Sequence, residues 1–293
     1  MKKKILALVA TVALAVTTVF GLTACNNNTN NASSLLFGKE VLRVDKQADI
    51  LTNLENGSCN MGVMDSVMAG QYTKDGKYKK LDFVFSEEKY GIGAKKGNKQ
   101  LISELNDALI TLNNEGKLDE VAITSDFNLK SELCISGQSN PITNPTDKSF
   151  DNVKSKKKLI IGYTLFEPIA YNKGGKLTGF DIELARKVVE YWNTKYSLTG
   201  ENAIVLEATV INWSQKETML ENGSIDLVWN GMTIDANRLE KMEVSIPYMN
   251  NAQVAIVKAD DYNKYATITD FLKNSKNAIV AVERGSAADA LLG

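Results

Sequence analysis

The stretch LENGS occurs twice, as Leu54 to Ser58 and as Leu220 to Ser224. Each copy ends an apolar pattern of helical spacing and precedes a short strand, NMGVMD after the first and IDLVWNGMT after the second. A glycine directly after a periodic apolar run is a helix stop. The chain therefore writes one helix–stop–strand unit twice, and a fold that accommodates it must alternate helices with strands in two related halves. At 293 residues there is enough chain for two such halves, each with its own core.

The rest of the pattern agrees. EVLRV reads as a strand and DKQADILTNLENG as a helix with Ile50, Leu51 and Leu54 on one face. EKYGIGAKK alternates as a strand does, and a helix follows with Leu101, Leu105, Ala108, Leu109 and Leu112 aligned; a shorter one covers Leu118 to Ile123. Residues 131–156 are rich in Ser, Asn, Asp and Lys, contain Pro141 and Pro145, and show no apolar period, so they read as a linker. Beyond them KKLIIGY, NAIVLEATV, IDLVW, QVAIVK and NAIVAVER are strands, separated by the helices GFDIELARKVVEYW, SQKETMLENG, DANRLEKM and TDFLKNS. Ser214 and Glu217 have the spacing of a capping box. The alternation predicts parallel βαβ units.

Charge and residue usage exclude several functions. Thirty-four basic against thirty-five acidic residues leave no basic footprint for nucleic acid, so no nucleic-acid partner is expected. Histidine is absent, which removes Ser-His-Asp and Cys-His nucleophiles, histidine bases and the commonest metal ligand. No metal or cofactor is called for. MKKK, an apolar run and LTAC read as an export signal over residues 1–24 and resemble a bacterial lipobox in which Cys25 is lipidated; a membrane-spanning helix is the alternative reading of the apolar run. A tether over 25–37 follows, and membrane attachment is expected through lipid alone. Cys59 and Cys134 read as unpaired thiols.

From Lys158 onward, YTLFEPIAY, GKLTGFDIELA, NWSQKETMLENGSIDLVWNGMTIDANR, SIPYMNNAQVAIVK and VERGSAADA resemble successive landmarks of the solute-binding proteins of amino-acid ABC importers. The resemblance implies an α/β, two-lobed, type II periplasmic-binding-protein-like fold with two crossover hinge strands. In that family the segment after a GSAADA-like turn carries a second LENG stop, a strand with an Asp and a return crossover ending like YGIGAKKGN. Here that continuation lies ahead, at Gly38 to Asn98. The order looks like a circular permutation, with one lobe over 91–130 and 157–257, the other split between 38–90 and 258–293, and the linker 131–156 joining the ancestral termini; two truncated halves fused by chance is the alternative.

The resemblance also implies the site. A free amino acid needs a bidentate cation for its carboxylate and an anion for its ammonium. Arg238 matches the family's carboxylate-binding arginine and Asp65 its ammonium-binding carboxylate; Asp65 reads equally as the N-cap of SVMAGQY. Thr233 would lend its hydroxyl and amide, beside an unobstructed Gly231 backbone. Ser286 opens a helix whose N-terminus suits an anion. Phe166 stands where relatives cover the ligand side chain, Trp213 is a candidate for the pocket edge or the core, and Ala287 and Ile169 depart from the family's hydroxyl and aromatic residues. The expected role is capture of an amino acid by lobe closure and delivery to an ABC permease, as a monomer. An amino-acid sensor, a dehydratase-like or lytic enzyme and an adhesin without ligand remain as alternatives.

Overall fold

The computed structural model describes residues 37–123 and 128–293. Cys25 and the export signal lie outside the described residues. The chain begins with strand β1 (Glu40–Val44), helix α1 (Gln47–Glu55), β2 (Met61–Asp65), α2 (Ser66–Tyr72) and the long strand β3 (Tyr78–Lys95). Helices α3 (Lys99–Asn114), α4 (Lys117–Ile123) and α5 (Ser149–Lys156) come next, then β4 (Lys158–Tyr163) and the hairpin of β5 (Tyr171–Lys173) and β6 (Lys176–Thr178). They are followed by α6 (Phe180–Lys195), β7 (Val205–Val210), α7 (Lys216–Glu221), β8 (Leu227–Thr233), α8 (Ala236–Lys241) and β9 (Met242–Val244). The last elements are β10 (Met249–Lys258), α9 (Tyr262–Tyr265), α10 (Ile268–Asn274), β11 (Ile279–Glu283) and α11 (Ala287–Leu292).

These elements form two compact units, one of residues 37–87 with Ala252–Gly293 and one of Glu88–Asn251, and β3 and β10 each run from one unit into the other. In the first unit the strand order is β1-β11-β2-β10-β3. Strands β1, β11 and β2 are mutually parallel, and β10 is antiparallel to β2. In the second unit β7, β4 and β8 are parallel in that order, β3 is antiparallel to β8, and β9 pairs with β3. Each unit thus contains three parallel strands with an antiparallel strand beside them that continues into the other unit. The strand after Gly38 and the strand after Ala278 share one sheet as direct neighbours, in register from Glu40 opposite Ile279 to Val44 opposite Glu283.

Both copies of LENGS fold identically, and the motif's composition explains why. Helix α1 ends at Glu55 and α7 at Glu221, with Leu54 and Leu220 buried beneath them. Gly57 and Gly223 adopt φ of 78° and 76°, a left-handed exit that a β-carbon disfavours. The preceding asparagine closes the turn: Ser58 N donates to Asn56 Oδ1 and Ser224 N to Asn222 Oδ1, each at 2.9 Å. Leu, Asn, Gly and Ser thus supply an anchor, a cap, a reversal and a donor.

Two local expectations need correction. The linker is not irregular throughout, because its end forms α5, where Phe150 and Val153 are buried one turn apart. It also serves as a cap: Asp147 Oδ2 accepts from Gln100 N and Ser149 Oγ from Leu101 N, both at 2.9 Å, satisfying amides that have no partner within the first turn of α3. The capping box of Ser214 and Glu217 does not form. Asn212 turns the chain first, its Oδ1 accepting from both Ser214 N and Ser214 Oγ, so the serine hydroxyl is consumed before α7 begins at Lys216. Among the described residues no helix is long and apolar enough to cross a membrane. Cys59 and Cys134 are free, and burial pushes the Cys59 thiol up to about 12.

The core of the first unit joins Met61 and Val63 of β2 to Val280 and Val282 of β11 and to Phe271 of α10. Gly62 lets α1 settle on this sheet, since a β-carbon there would stand 2.1 Å from Ile50 Cγ2. Gly62→Ala is therefore expected to destabilise the protein by about 1–3 kcal/mol, an overpacking cost read as a lower urea midpoint at unchanged slope. An unaltered midpoint would show that α1 yields freely.

Candidate functional site

Ligands of open α/β sheets bind beyond the carboxyl ends of the parallel strands, and in each unit those ends gather the polar residues. In the second unit β8 carries LVWNGMT and is wholly buried. Its pairing with β3 slips between Gly91 and Gly93, where three residues of β8 bulge opposite one. The bulge ends at Gly231, at φ 58°, where a β-carbon would meet Phe166 Cε1 at 2.9 Å. Glycine is required on both counts, and it brings Phe166 against the strand end. The Gly231 amide is not open to a ligand, however, because it donates to Asp181 Oδ2 at 2.7 Å.

Past the bulge the chain enters α8. Asp235 caps it by accepting from Arg238 N at 2.8 Å, and this turn folds the arginine back over the strand end. Buried Arg238 donates from Nη1 to Thr233 O at 2.6 Å, its Nε lies 3.4 Å from Asp235 Oδ2, and its guanidinium lies over the Trp213 ring at 5.9 Å. Trp213 is at once core and edge: it packs with Ile211, Leu220 and Met232 and also faces Arg238. The Thr233 hydroxyl donates to Glu88 of β3. Beside them Asn230 Nδ2 donates to Thr164 Oγ1 at 2.8 Å. The second unit therefore brings Arg238, Thr233, Gly231, Phe166 and Trp213 to one strand end.

In the first unit Asp65 ends β2 and Glu283 ends β11, with Ser286 just beyond it. Asp65 occupies the cap position of α2 but makes no side-chain capping bond. Its carboxylate instead accepts from Gln47 Nε2 at the start of α1 and from Gln253 Nε2 of β10, the latter at 3.1 Å. Gln47 also accepts from Asp65 N, so it grips both backbone and side chain. Ser286 caps α11 through its hydroxyl, which accepts from Asp289 N at 3.2 Å.

The sequence reading missed Gln47, Gln253, Glu88 and Asp181. Asp181, in the first turn of α6, is fully buried. Besides the Gly231 amide it accepts from the Tyr248 hydroxyl, 2.8 and 2.9 Å from its two oxygens. Burial drives its pKa up to about 7, against the lowering effect of the Tyr248 and Gly231 donors. The only signal in GFDIELA was a polar residue on an otherwise apolar face, flanked by Phe180 and Ile182.

Residues 159–288 match the family described as bacterial extracellular solute-binding proteins, family 3. A probable histidine-binding protein of Neisseria gonorrhoeae is 34% identical over 86 residues, 28% of this chain and 32% of that protein. The arginine-binding extracellular protein ArtP of Bacillus subtilis is 28% identical over 132 residues, 45% of this chain and 46% of that protein. A substrate-binding protein of an ABC uptake transporter from Streptococcus pneumoniae, solved with bound histidine, is 31% identical over 33% of this chain and 36% of its own, with a TM-score of 0.26. The chain spans between a third and a half of the length of these curated relatives.

Asp181 makes stability depend on pH with a definite sign. Its folded value lies above the ordinary 3.8, so the folded state holds the extra proton between about pH 4 and 7, and stability falls as pH rises through that window. The swing is on the order of 4 kcal/mol. Urea unfolding at several pH values should show this slope in the unaltered protein and its loss in Asp181→Asn. Parallel profiles for the two would remove Asp181 as the cause.

Proposed function

We propose, from the match of residues 159–288 to the bacterial extracellular solute-binding proteins, family 3, that the protein captures an amino acid outside the cytoplasmic membrane and delivers it to an ABC importer. The observation that carries the reading is the end of β8, where a buried guanidinium is oriented by Thr233 O, Asp235 and the face of Trp213. A planar, permanently charged fork fixed in this way suits a carboxylate.

Arg238 takes the α-carboxylate, and Asp65, held by Gln47 and Gln253, takes the α-ammonium. Phe166 covers the ligand side chain and Trp213 borders it; Thr233 and the start of α11 at Ser286 complete the polar contacts, while Gly231 shapes the strand end. Arg238 belongs to one unit and Asp65 to the other. Lipid on Cys25 tethers a monomer to the outer face of the membrane, where the permease receives the ligand. No bond chemistry is involved.

The strand order is a circular permutation of the family arrangement. Two facts support this: β11 supplies the strand between β1 and β2, and the two units then share one topology.

Calorimetric titration with the common L-amino acids tests the function, and silence toward all of them would refute it. Arg238→Ala is expected to abolish binding while preserving the fold, a loss of about 2–5 kcal/mol for one partner of a desolvated pair. Asp65→Asn is expected to weaken amino acids far more than the corresponding acids lacking the ammonium; equal losses would detach Asp65 from that role.

A further inference from the structure

A threonine hydroxyl has one proton to donate and two lone pairs with which to accept, whereas a carboxylate only accepts. The Thr233 hydroxyl contacts the Glu88 carboxylate, so its single proton is committed there. The pairing of β3 with β8 fixes this contact: Tyr90 stands opposite Thr233, and Ile234 N donates to Lys89 O at 2.9 Å, which sets Glu88 beside the strand end. On its other side Thr233 is engaged through its carbonyl, which accepts from Arg238.

We propose that Glu88 is a positioning residue that sets the polarity of Thr233, leaving its hydroxyl oxygen to accept from the ligand's α-ammonium and unable to donate to the carboxylate. This rests on the amino-acid-binding function and deepens it. Arg238 carries donors only and Thr233 is left with lone pairs only, so one strand end distinguishes the two poles of a zwitterion. The site thereby selects α-amino acids over acids that lack a donor on the α-carbon. The carboxylate of Glu88 acts through the hydroxyl.

Glu88→Gln tests this, because an amide both donates and accepts and no longer dictates the hydroxyl's direction. The probes are L-arginine, L-histidine and L-glutamine, each beside its analogue without the α-ammonium, titrated by calorimetry. For whichever amino acid binds, Glu88→Gln should weaken binding about tenfold or more and leave the analogue's affinity unchanged or improved. In a Thr233→Val background, which lacks the hydroxyl, the Glu88 substitution should have no further effect, and Thr233→Ser should retain the discrimination. Equal loss for both ligand classes, or an undiminished effect of Glu88→Gln in the Thr233→Val protein, would overturn the role. If Glu88→Gln fails to fold, Thr233→Val must by itself narrow the preference over the analogue about tenfold or more, Asp65 keeping the remainder, and an undiminished preference refutes the proposal. Absence of binding by the unaltered protein to every probe and every other L-amino acid refutes the transport function and this role together; binding with discrimination unchanged in Glu88→Gln refutes this role alone.

Discussion

The parallel ladder between β1 and β11 is the contact on which the first unit depends. Its five residue pairs join positions roughly 240 residues apart, so closing it carries a loop-closure entropy that local contacts cannot supply. What offsets that cost is burial. Val280 and Val282 pack with Met61, Val63 and Phe271, and Phe37 joins the same cluster just before the first strand. Arg43 adds a 2.7 Å ion pair to Asp289, tying the same distant segments at the partly exposed edge. Without the ladder, β1 would lose the strand it pairs with and the end of β2 would carry Asp65 on half a sheet.

Asp65 and Arg238 are positioned by different means. Arg238 is placed locally, by a cap three residues earlier and a carbonyl five residues earlier in the same strand–turn–helix segment. Asp65 is placed by amides 18 and 188 residues away. The carboxylate therefore depends on complete assembly of its sheet, whereas the guanidinium takes two of its contacts from one turn and a third from the Trp213 ring. The buried Asp181 gives the second unit its own long-range tie, joining the β8 bulge to Tyr248 just ahead of β10.

This contrast explains what was legible in the sequence. Helix and strand identities followed from periodicity, and the LENGS turns from Asn and Gly chemistry, because both are local. The residues around Arg238 could be read because a short motif encodes them together. Gln47, Gln253, Glu88 and Asp181 could not, since each matters through a partner brought near only by the sheet, and a polar residue in an apolar pattern does not announce that partner. Ser214 shows the converse error: correct spacing for a cap, pre-empted by an asparagine two residues earlier. Likewise α5 escaped notice because two buried side chains, Phe150 and Val153, are too few to display a period among lysines.

The placement of β11 between β1 and β2 has a consequence for biogenesis. As the chain emerges during synthesis, β1 and β2 appear early yet are not neighbours in the finished sheet, and the strand that separates them is made only after the whole of Glu88–Asn251. The second unit can condense while its predecessor waits with apolar strand faces exposed, which places the burden of solubility on whatever shields a nascent chain.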